Sequence, residues 1–406
     1  MKCRFDGTEL NQVFVDLVAS PASNSYLAEN ELNNPETYYP LKLYVNEKNW
    51  LIQIDEYKNA DEIFGEDYVY YSSYSTSWLN HAKKYVDMIV ERLGLTKDSL
   101  VVEVAANDGY LLQYFSDHGV PCYGVEPSSG PADVAIEKGI KIVKDYFGEN
   151  TAKKLGNEQK ADLIIGNNVF AHIPDINDFL SGLKMLLNKN GVITLEFPHL
   201  MELVENNQFD TIYHEHFYYF SLIAVVEVIK AHDLEVFDVE RLATHGGSLR
   251  LYIQHLNGAK KIEDSVGGLL DLEKRNGMTT LEYYTGFQGK IDAIKNESLS
   301  FLLNEKRDGK SIVGYGAAAK GNTYLNYCGI KPDLIDYVVD ASPYKQGKYL
   351  PGSHIPILSE EHISKTKPDY VMIFPWNLKD EISEQLSYIR EWGGKFLVAI
   401  PTIKVF

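Results

Sequence analysis

Short apolar runs alternate with longer amphipathic stretches over the middle of the chain. The apolar runs predict strands at residues 100–104, 122–126, 162–166 and 192–196. Apolar residues at helical spacing predict helices between them, at residues 109–118, 134–138 and 176–187. Regular alternation of this kind is typical of a parallel sheet covered by helices on both faces.

The same alternation returns near the end of the chain. Two strands, near residues 234–239 and 249–253, lead into a mostly helical connection that runs to about residue 304. Further strands are predicted at residues 311–316, 335–340, 370–374 and 396–400, with a helix at residues 318–327. The chain is therefore predicted to hold two doubly wound α/β units.

The first part of the chain has a different pattern. Short apolar runs interrupted by Pro, Asn and Ser predict short strands and loops up to about residue 60, and a helix follows at residues 79–93. A chain of 406 residues exceeds what one core usually supports, so several domains are expected. We place them at residues 1–60, 61–258 and 259–406.

Charge and cysteine content narrow the function classes. A net charge of -18 argues against nucleic acid or an anionic membrane as a partner, because either would be bound against the overall field. The three cysteines are too few and too scattered for a disulfide framework. No apolar stretch resembles a signal peptide or approaches the ~20 residues that cross a bilayer. A cytoplasmic location is expected.

Carboxylates cluster where the first strand of the middle region ends. Glu103 ends that strand, and Asp108 and a single glycine, Gly109, precede the next helix. A dinucleotide fold would place several glycines here, so that backbone amides could approach a pyrophosphate. These carboxylates would repel a pyrophosphate, but they suit a cationic ligand such as S-adenosylmethionine.

The following strand ends supply further candidate ligand groups. Glu126 stands where a carboxylate accepts hydrogen bonds from ribose hydroxyls, and Asp145 or Phe147 could frame adenine. The expected cofactor-binding residues are Glu103, Ala105, Asn107, Asp108, Gly109, Tyr110, Glu126, Pro127 and Asn167. The alternative is that Glu103 and Asp108 only cap a helix and that Glu126 and Pro127 form a turn.

The densest group of proton-handling side chains lies within residues 213–219, Tyr-His-Glu-His-Phe-Tyr-Tyr. A helix is one interpretation of this segment, and it is too aromatic to be wholly exposed. His172 follows the fourth strand, at the edge of the sheet where ligands bind in such folds. A near-neutral base beside a methyl donor indicates removal of a carbon-bound proton next to a carbonyl, followed by enolate attack on the methyl group. A metal site built from His172, His214 and His216 is an alternative.

The second α/β unit opens with a strand, a glycine-bearing turn and a helix at residues 312–321, which is an arrangement that presents amides to phosphate. Lys320 adds a positive charge, and Trp376 with Asn377 follows a later strand. Asp340 stands where a ribose-binding acid belongs, so an NAD-dependent oxidoreductase is the rival hypothesis. Hydride transfer, however, leaves the carboxylates of residues 101–110 without a role.

Five segments of the chain resemble the S-adenosylmethionine-dependent sugar C-methyltransferases. They are residues 103–110 (EVAANDGY), 166–172 (GNNVFAH), 213–216 (YHEH), 244–250 (THGGSLR) and 314–323 (GYGAAAKGNT). The resemblance spans nearly the whole chain. It implies an α/β fold with a class I methyltransferase Rossmann-like domain, a second Rossmann-like domain at the C-terminus and a small N-terminal module. It also implies C-methylation of a nucleotide-linked 4-keto-deoxysugar, typically at C-3, by a monomer or homodimer.

The resemblance assigns roles to single residues. His216 is expected to be the general base, with Tyr213 and Glu215 positioning the sugar or relaying protons, and His172 contacting the sugar or the developing enolate. The implied substrate-binding residues, for a sugar linked to thymidine diphosphate, are Asn168, His172, Tyr213, Gly247, Lys320, Asn322, Trp376 and Asn377. A methyltransferase-like protein that binds without catalysis remains an alternative.

The N-terminal module departs from the family. Related enzymes carry two pairs of cysteines that bind a structural zinc, whereas the corresponding positions here are Cys3, Asp6, Asn46 and Asn49. A closed zinc site requires four strong N or S donors, and neutral amides are poor replacements. We therefore expect no zinc, with stability supplied by apolar packing; a weak metal at Cys3 and Asp6 is the alternative.

Overall fold

The computed structural model describes residues 1–57 and 71–406. The expected domain boundary at residue 60 lies outside these residues. The described helices are α1 (Thr76–Leu93), α2 (Leu112–Asp117), α3 (Ser129–Glu137), α4 (Glu149–Glu158), α5 (Ile176–Leu186), α6 (Leu200–Glu205), α7 (Leu222–Lys230), α8 (Asp264–Arg275), α9 (Leu281–Thr285), α10 (Phe287–Arg307), α11 (Ala319–Cys328), α12 (Glu361–Thr366) and α13 (Lys379–Gln385). None of them is long and apolar enough to cross a membrane.

The described strands form three sheets. They are β1 (Gln12–Ser20), β2 (Tyr39–Val45), β3 (Ile52–Ile54), β4 (Val101–Val104), β5 (Cys122–Val125), β6 (Ile142–Val143), β7 (Ala161–Asn167), β8 (Leu187–Pro198), β9 (Tyr218–Tyr219), β10 (Leu234–Leu242), β11 (Ser248–His255), β12 (Ile312–Tyr315), β13 (Val338–Val339), β14 (Ile357–Leu358), β15 (Tyr370–Ile373), β16 (Lys395–Val398) and β17 (Lys404–Val405).

The largest sheet confirms the first predicted α/β unit. Its strand order is β6-β5-β4-β7-β8-β11-β10, in which β4 to β8 are parallel and β10 and β11 are antiparallel to their neighbours. The chain moves outward from β4 to β6 and then crosses to β7 on the other side of β4. Ligands of open α/β sheets bind outside the carboxyl ends of the strands at such a switch point.

A second sheet confirms the C-terminal α/β unit. Its order is β14-β13-β12-β15-β16-β17, and only β17 runs antiparallel to its neighbour. The strand predicted at residues 335–340 is shorter, because Ile335 N donates to Lys331 O and holds the preceding residues in a turn. The predicted parallel α/β class is correct for both halves.

The N-terminal module is a small antiparallel sheet in the order β1-β2-β3-β9. Its fourth strand is not local, because β9 comes from the segment rich in acid and base side chains. The module also shares its core with the C-terminal half: Phe14 stacks on Phe287 at 5.0 Å, and Trp50 stacks on Tyr284 at 5.7 Å between ring centroids. The apolar residues that stabilise the module therefore also attach it to the rest of the molecule.

The helical interpretation of the acid and base segment is wrong. Residues 213–220 are not helical, because they form a turn followed by β9. Strand β8 begins directly after the helix that ends at Leu186, and Gly191 lies inside this strand. A Cβ atom at Gly191 would come within 2.8 Å of Ala161 O, so the glycine permits close approach of the backbone at the start of β7.

Candidate functional site

The turn after β4 is shaped by backbone that most side chains avoid. Ala105, Asn107 and Gly109 have positive φ angles of 57°, 49° and 73°. A Cβ atom at Gly109 would lie 2.4 Å from Ile140 Cδ1 and 3.2 Å from Ala135 Cβ, so glycine permits close packing at this positive φ. The Glu126 carboxylate fixes the turn from β5, accepting hydrogen bonds from Asn107 N at 2.9 Å and Ser128 N at 2.8 Å. In this structure Glu126 therefore makes the contacts of a turn residue, as one of the two interpretations predicted.

Buried polar atoms without partners surround this turn. Within the described chain, neither carboxylate oxygen of Glu103 has a hydrogen-bond partner, nor does Asp108 Oδ1. The side-chain nitrogen and oxygen of Asn167, at the end of β7, also have no hydrogen-bond partner within the described residues. Native proteins rarely leave so many buried polar atoms unsatisfied outside a ligand site. These atoms lie at the switch point of the sheet, where the sequence predicted the cofactor.

The charge at the turn fits a cationic ligand. Burial raises the pKa of Glu103 well above its ordinary value, and the nearby charges of Glu126 and Asp108 add to that effect. Asp108 Oδ2 accepts from Ser73 N at 3.2 Å and lies 3.5 Å from Lys138 Nζ. Neither carboxylate caps the following helix, because α2 begins at Leu112 without a side-chain cap. The helix-cap interpretation is therefore wrong, and the residues present fit a sulfonium-bearing cofactor.

The acid and base segment is held by three parts of the molecule. Phe217 N donates to Ala171 O at 2.7 Å, which joins the segment to the loop after β7. Ile54 N donates to Phe217 O at 3.1 Å, from the N-terminal module. Thr323 Oγ1 donates to Ile212 O at 2.8 Å, from the C-terminal half. Position 216 is thus fixed at the junction of all three regions.

His172 and His216 lie together, with ring centroids 4.6 Å apart. His216 Nδ1 bonds to Thr211 O at 3.1 Å and His172 Nδ1 to Glu215 O at 2.8 Å. A carbonyl oxygen only accepts, so each ring carries its proton on Nδ1 and, when neutral, its lone pair on Nε2. Burial lowers the pKa of His172 to about 4, and burial together with His172 holds the pKa of His216 well below its ordinary value.

The other residues of the segment divide between the cleft and the N-terminal module. The Tyr213 ring packs on His216 with centroids 4.1 Å apart. Glu215 Oε1 accepts from Asn24 Nδ2 at 3.3 Å. His214 Nε2 donates to Pro40 O at 3.2 Å, so its ring is directed at the module. The three histidines do not converge, and no cluster of metal-ligating side chains occurs in residues 1–57 and 71–406.

The expected substrate residues of the C-terminal half form a polar cluster against the first half. Lys320 Nζ donates to Asn377 Oδ1 at 3.1 Å and lies 4.8 Å from the centre of the Trp376 ring. Trp376 Nε1 donates to Asp210 Oδ2 at 2.7 Å. Burial raises the pKa of Asp210 to about 6 although Lys320 opposes it, and Asp210 Oδ1 has no partner within the described residues.

Two further expected substrate residues are placed differently. Asn322 is fully buried in α11: its Oδ1 accepts from Asn326 Nδ2 at 3.2 Å, and its own Nδ2 has no partner within the described residues. Gly247 has a φ of 121°, and a Cβ atom there would lie 2.4 Å from Glu202 Cγ. The glycine at 247 therefore serves close packing on Glu202.

The glycines at the end of β12 pack closely against neighbouring side chains. A Cβ atom at Gly316 would lie 2.6 Å from Pro375 Cδ, and one at Gly314 would lie 2.6 Å from Phe374 Cε2. Asp340 Oδ2 accepts from Ala317 N at 2.8 Å and from Lys345 Nζ at 3.3 Å. These glycines and this acid make contacts inside the protein, and the pattern that suggested an NAD site has a packing explanation.

The four positions of the family's zinc site are joined by hydrogen bonds. Asn46 Nδ2 lies 3.2 Å from both Asp6 oxygens, and Asn49 Nδ2 lies 3.2 Å from Asp6 Oδ2. Gln53 Nε2 donates to Cys3 Sγ at 3.2 Å. The amides thus present N–H groups toward the centre, where a metal would require lone pairs, so the donor set does not fit zinc.

A buried ionic network beside the site was missed in the sequence. Glu196, at the end of β8, bonds to His81 Nε2 at 3.0 Å and to Arg250 at 2.8 Å. Burial raises the pKa of Glu196, but His81 and Arg250 outweigh it and lower the pKa overall. The sequence signal for this network was a glutamate near the end of an apolar strand, at the edge of the sheet where ligands bind. Its partners His81 and Arg250 are remote in sequence, so no local pattern predicts them.

Comparison with known proteins finds similarity to methyltransferases. The chain is 34% identical over its whole length to the C-methyltransferase NovU of Streptomyces niveus, covering 96% of that protein. It is also 29% identical over 23% of its length to the ubiquinone biosynthesis O-methyltransferase of Pasteurella multocida, covering 43% of that protein. The magnesium protoporphyrin IX methyltransferase structure from Synechocystis PCC 6803, solved with bound S-adenosylmethionine, matches 48% of this chain and 88% of its own at 17% identity and a TM-score of 0.34.

Three domain families match in the same order along the chain. A family described as a putative zinc binding domain matches residues 3–64, a methyltransferase domain matches residues 78–239, and a C-methyltransferase C-terminal domain matches residues 243–401. Full-length similarity to a named C-methyltransferase and a matching C-terminal domain favour a C-methyltransferase over an NAD-dependent oxidoreductase. The chain therefore belongs to the S-adenosylmethionine-dependent C-methyltransferases.

Proposed function

We propose that this enzyme methylates C-3 of a nucleotide-linked 4-keto-deoxysugar. His216 Nε2 takes the C-3 proton, and the negative charge moves to the neighbouring ketone oxygen to give an enolate. C-3 of the enolate then forms a bond to the methyl carbon. S-adenosylmethionine supplies the methyl group and leaves as S-adenosylhomocysteine. The reaction type follows from the family, whereas the sugar, the carbon and the residue roles are our proposal.

The observation that carries the proposal is the state of His216. Its Nδ1 hydrogen is committed to Thr211 O, so Nε2 holds the lone pair that a general base requires. Burial and the nearby His172 hold the pKa of His216 well below the ordinary value. The ring is therefore neutral throughout the physiological range. A low pKa keeps all of the base in its reactive form, at a cost in basicity.

Neighbouring groups would orient the sugar. The Tyr213 ring packs on the base at a tilt of 36°, and Asn24 donates to Glu215, so both side chains would be held beside the reacting carbon. His172 is neutral with its lone pair on Nε2, which suits acceptance of a hydrogen bond from a sugar hydroxyl. We assign positioning or proton relay to Tyr213 and Glu215, and contact with the sugar to His172 and Asn168.

The cofactor would occupy the switch point of the first sheet. The unpartnered oxygens of Glu103 and Asp108 support electrostatic contact with its cationic groups. Glu126 would accept from the ribose hydroxyls with the lone pairs that Asn107 N and Ser128 N leave available. Asn167 would bind the methionine end.

The nucleotide would lie toward the C-terminal half. Lys320 supplies positive charge and Trp376 an aromatic face, and both belong to the cluster that borders the first half. We propose a thymidine diphosphate sugar, a monomeric or homodimeric enzyme, and reaction in the cytoplasm. The last point is supported by the three cysteines, none of which forms a disulfide.

Exchange in deuterated water tests the proposed base directly. The protein is incubated with candidate thymidine diphosphate 4-keto-sugars without S-adenosylmethionine, and the C-3 proton signal is followed by NMR. His216→Gln should slow exchange at least ~100-fold, because general base catalysis contributes about 10²–10⁴. Since the pKa of His216 is depressed, the rate should stay flat from about pH 8 to about pH 6, where an ordinary imidazole would become protonated.

His214→Gln is the matched control, because it makes the same change in the same segment at a ring directed at Pro40. This variant should exchange within about 3-fold of the parent. Equal rates for His216→Gln and the parent would eliminate His216 as the base. Exchange at another carbon would keep the base and move the site of methylation.

A further inference from the structure

A histidine from the antiparallel side of the first sheet contacts the asparagine that follows β7. His245 Nε2 lies 3.0 Å from Asn168 Nδ2. An amide nitrogen donates and does not accept, so Nε2 is the acceptor and the ring proton resides on Nδ1. This contact determines the direction of the Asn168 amide, with its nitrogen toward His245 and its oxygen on the opposite side.

The oxygen of that amide is buried and lacks a donor. Within the described residues, Asn168 Oδ1 has no hydrogen-bond partner. Leaving such an acceptor unsatisfied costs about 1–3 kcal/mol, so its orientation calls for an explanation. Asn168 is itself held in a left-handed backbone conformation, φ 53°, with its N donating to Glu196 O at 2.7 Å. It follows β7 at the switch point, where ligands bind in this fold.

His245 is held firmly in turn. Its φ of 54° is unusual for a residue with a side chain, and its ring packs against Trp78 with centroids 5.2 Å apart. The preceding Thr244 Oγ1 donates to Glu196 Oε1 at 3.1 Å, and Arg250 secures Glu196. The buried ionic network thus anchors the turn that carries His245. Burial and Lys320 lower the pKa of His245 to about 4, so the ring is neutral at working pH.

We propose that His245 is a positioning residue that orients the Asn168 amide, so that Oδ1 accepts a hydrogen bond from a bound ligand. The ligand group must be an N–H or O–H donor. The methionine ammonium of the cofactor and a hydroxyl of the sugar both qualify, and the sugar rests on the proposed function. In this arrangement the buried network of Glu196, Arg250 and His81 stabilises the strained turn that carries His245.

Two substitutions at position 245 separate orientation from packing. His245→Phe keeps a ring against Trp78 but removes the acceptor, whereas His245→Gln offers an amide oxygen to Asn168 Nδ2. Both variants bear the same cost of the left-handed backbone, so their difference reports the acceptor. We expect Phe to weaken the affected ligand about 10-fold, the size of one lost hydrogen bond, and Gln to recover it to within about 3-fold.

Two binding measurements identify the ligand group. Weaker S-adenosylmethionine binding by calorimetry in the Phe variant assigns the ammonium group. Unchanged cofactor affinity with a raised KM for the keto-sugar, at similar kcat, assigns the sugar hydroxyl. If Phe and Gln behave alike in both measurements, the proposal is wrong.

A spectroscopic measurement on the parent protein is independent of activity. In ¹⁵N-histidine spectra, the resonance lost in His245→Gln should show a protonated Nδ1 and an unprotonated Nε2. The opposite tautomer would mean that His245 donates to Asn168 Oδ1, which overturns the proposal. Because the tautomer and the calorimetry need no sugar, a failure of the proposed sugar chemistry would be seen separately.

Discussion

Two turns in this protein join a buried strand to a helix at corresponding places in the two α/β units, and they are built in opposite ways. The turn after β4 leaves oxygens of Glu103 and Asp108 buried without partners in the described chain. At the end of β12, Gly314 and Gly316 pack against Phe374 and Pro375, and the acid of this unit, Asp340, accepts from Ala317 N. The first turn therefore leaves buried polar oxygens for a ligand, whereas the contacts of the second are made by the protein itself.

The difference shows what a glycine in such a turn means. Gly109 and Gly316 both have positive φ, and a side chain at either would strike a neighbour. The glycine pattern alone therefore cannot separate a ligand site from a packed junction. What separates them is the set of unpartnered carboxylate oxygens, on Glu103 and Asp108, which the first turn has and the second turn lacks within the described residues.

Neutralising the carboxylate of the first turn should have the largest effect. Glu103→Gln removes a charge-assisted contact worth about 1.5–3 kcal/mol and should weaken S-adenosylmethionine binding about 10- to 100-fold in calorimetry. The same change should stabilise the unliganded protein at pH 7 by ~1 kcal/mol or more. The raised pKa of Glu103 means that burying its charge costs stability above the unfolded pKa, and this cost vanishes at low pH.

Glu137→Gln is the control for loss of one negative charge, because Glu137 is exposed at the end of α3. It should change neither quantity by more than about 0.5 kcal/mol. Unchanged affinity in Glu103→Gln would remove the distinction between the two turns.

Removing the acid of the second turn should have the opposite result: the protein should lose stability, and its cofactor affinity should stay the same. Asp340→Ala deletes acceptors for Ala317 N, Ser342 N and Lys345 Nζ, so the free energy of unfolding should fall by about 1–3 kcal/mol in urea titrations. S-adenosylmethionine affinity should stay within about 2-fold of the parent. Asp336→Ala removes a more exposed partner of Lys306 and should cost below ~1 kcal/mol. A loss of cofactor affinity in Asp340→Ala would mean that the second turn also serves the ligand.

Sequence reasoning predicted the elements better than their junctions. The alternation of strands and helices fixed both α/β units, because burial periodicity is a local property. The strand β9 was missed, since Tyr218 and Tyr219 become a strand only by pairing with β3, far away in the chain.

The candidate site was predictable where residue type alone implies chemistry. Glu103, Asp108, His172 and His216 stand out as titratable groups at strand ends or in an aromatic segment. The contact between His245 and Asn168 could not be predicted, because it requires β11 to lie beside β8 in a particular register. The same holds for the enclosure of Glu196 by His81 and Arg250, which joins three distant segments.

The smallest expected effect is the absence of a Tm change with NAD, compared with a clear rise in Tm with S-adenosylmethionine. S-adenosylmethionine at 100 times its dissociation constant should raise the free energy of unfolding by about 2.7 kcal/mol, visible as a higher Tm. NAD at millimolar concentration should leave Tm unchanged, because close packing on Pro375 and Phe374 already accounts for Gly316 and Gly314 without a dinucleotide. S-adenosylhomocysteine serves as the positive control in the same experiment. An NAD-dependent rise that Asp340→Ala abolishes would show that the second turn opens to a dinucleotide, and packing would then be an incomplete account of its glycines.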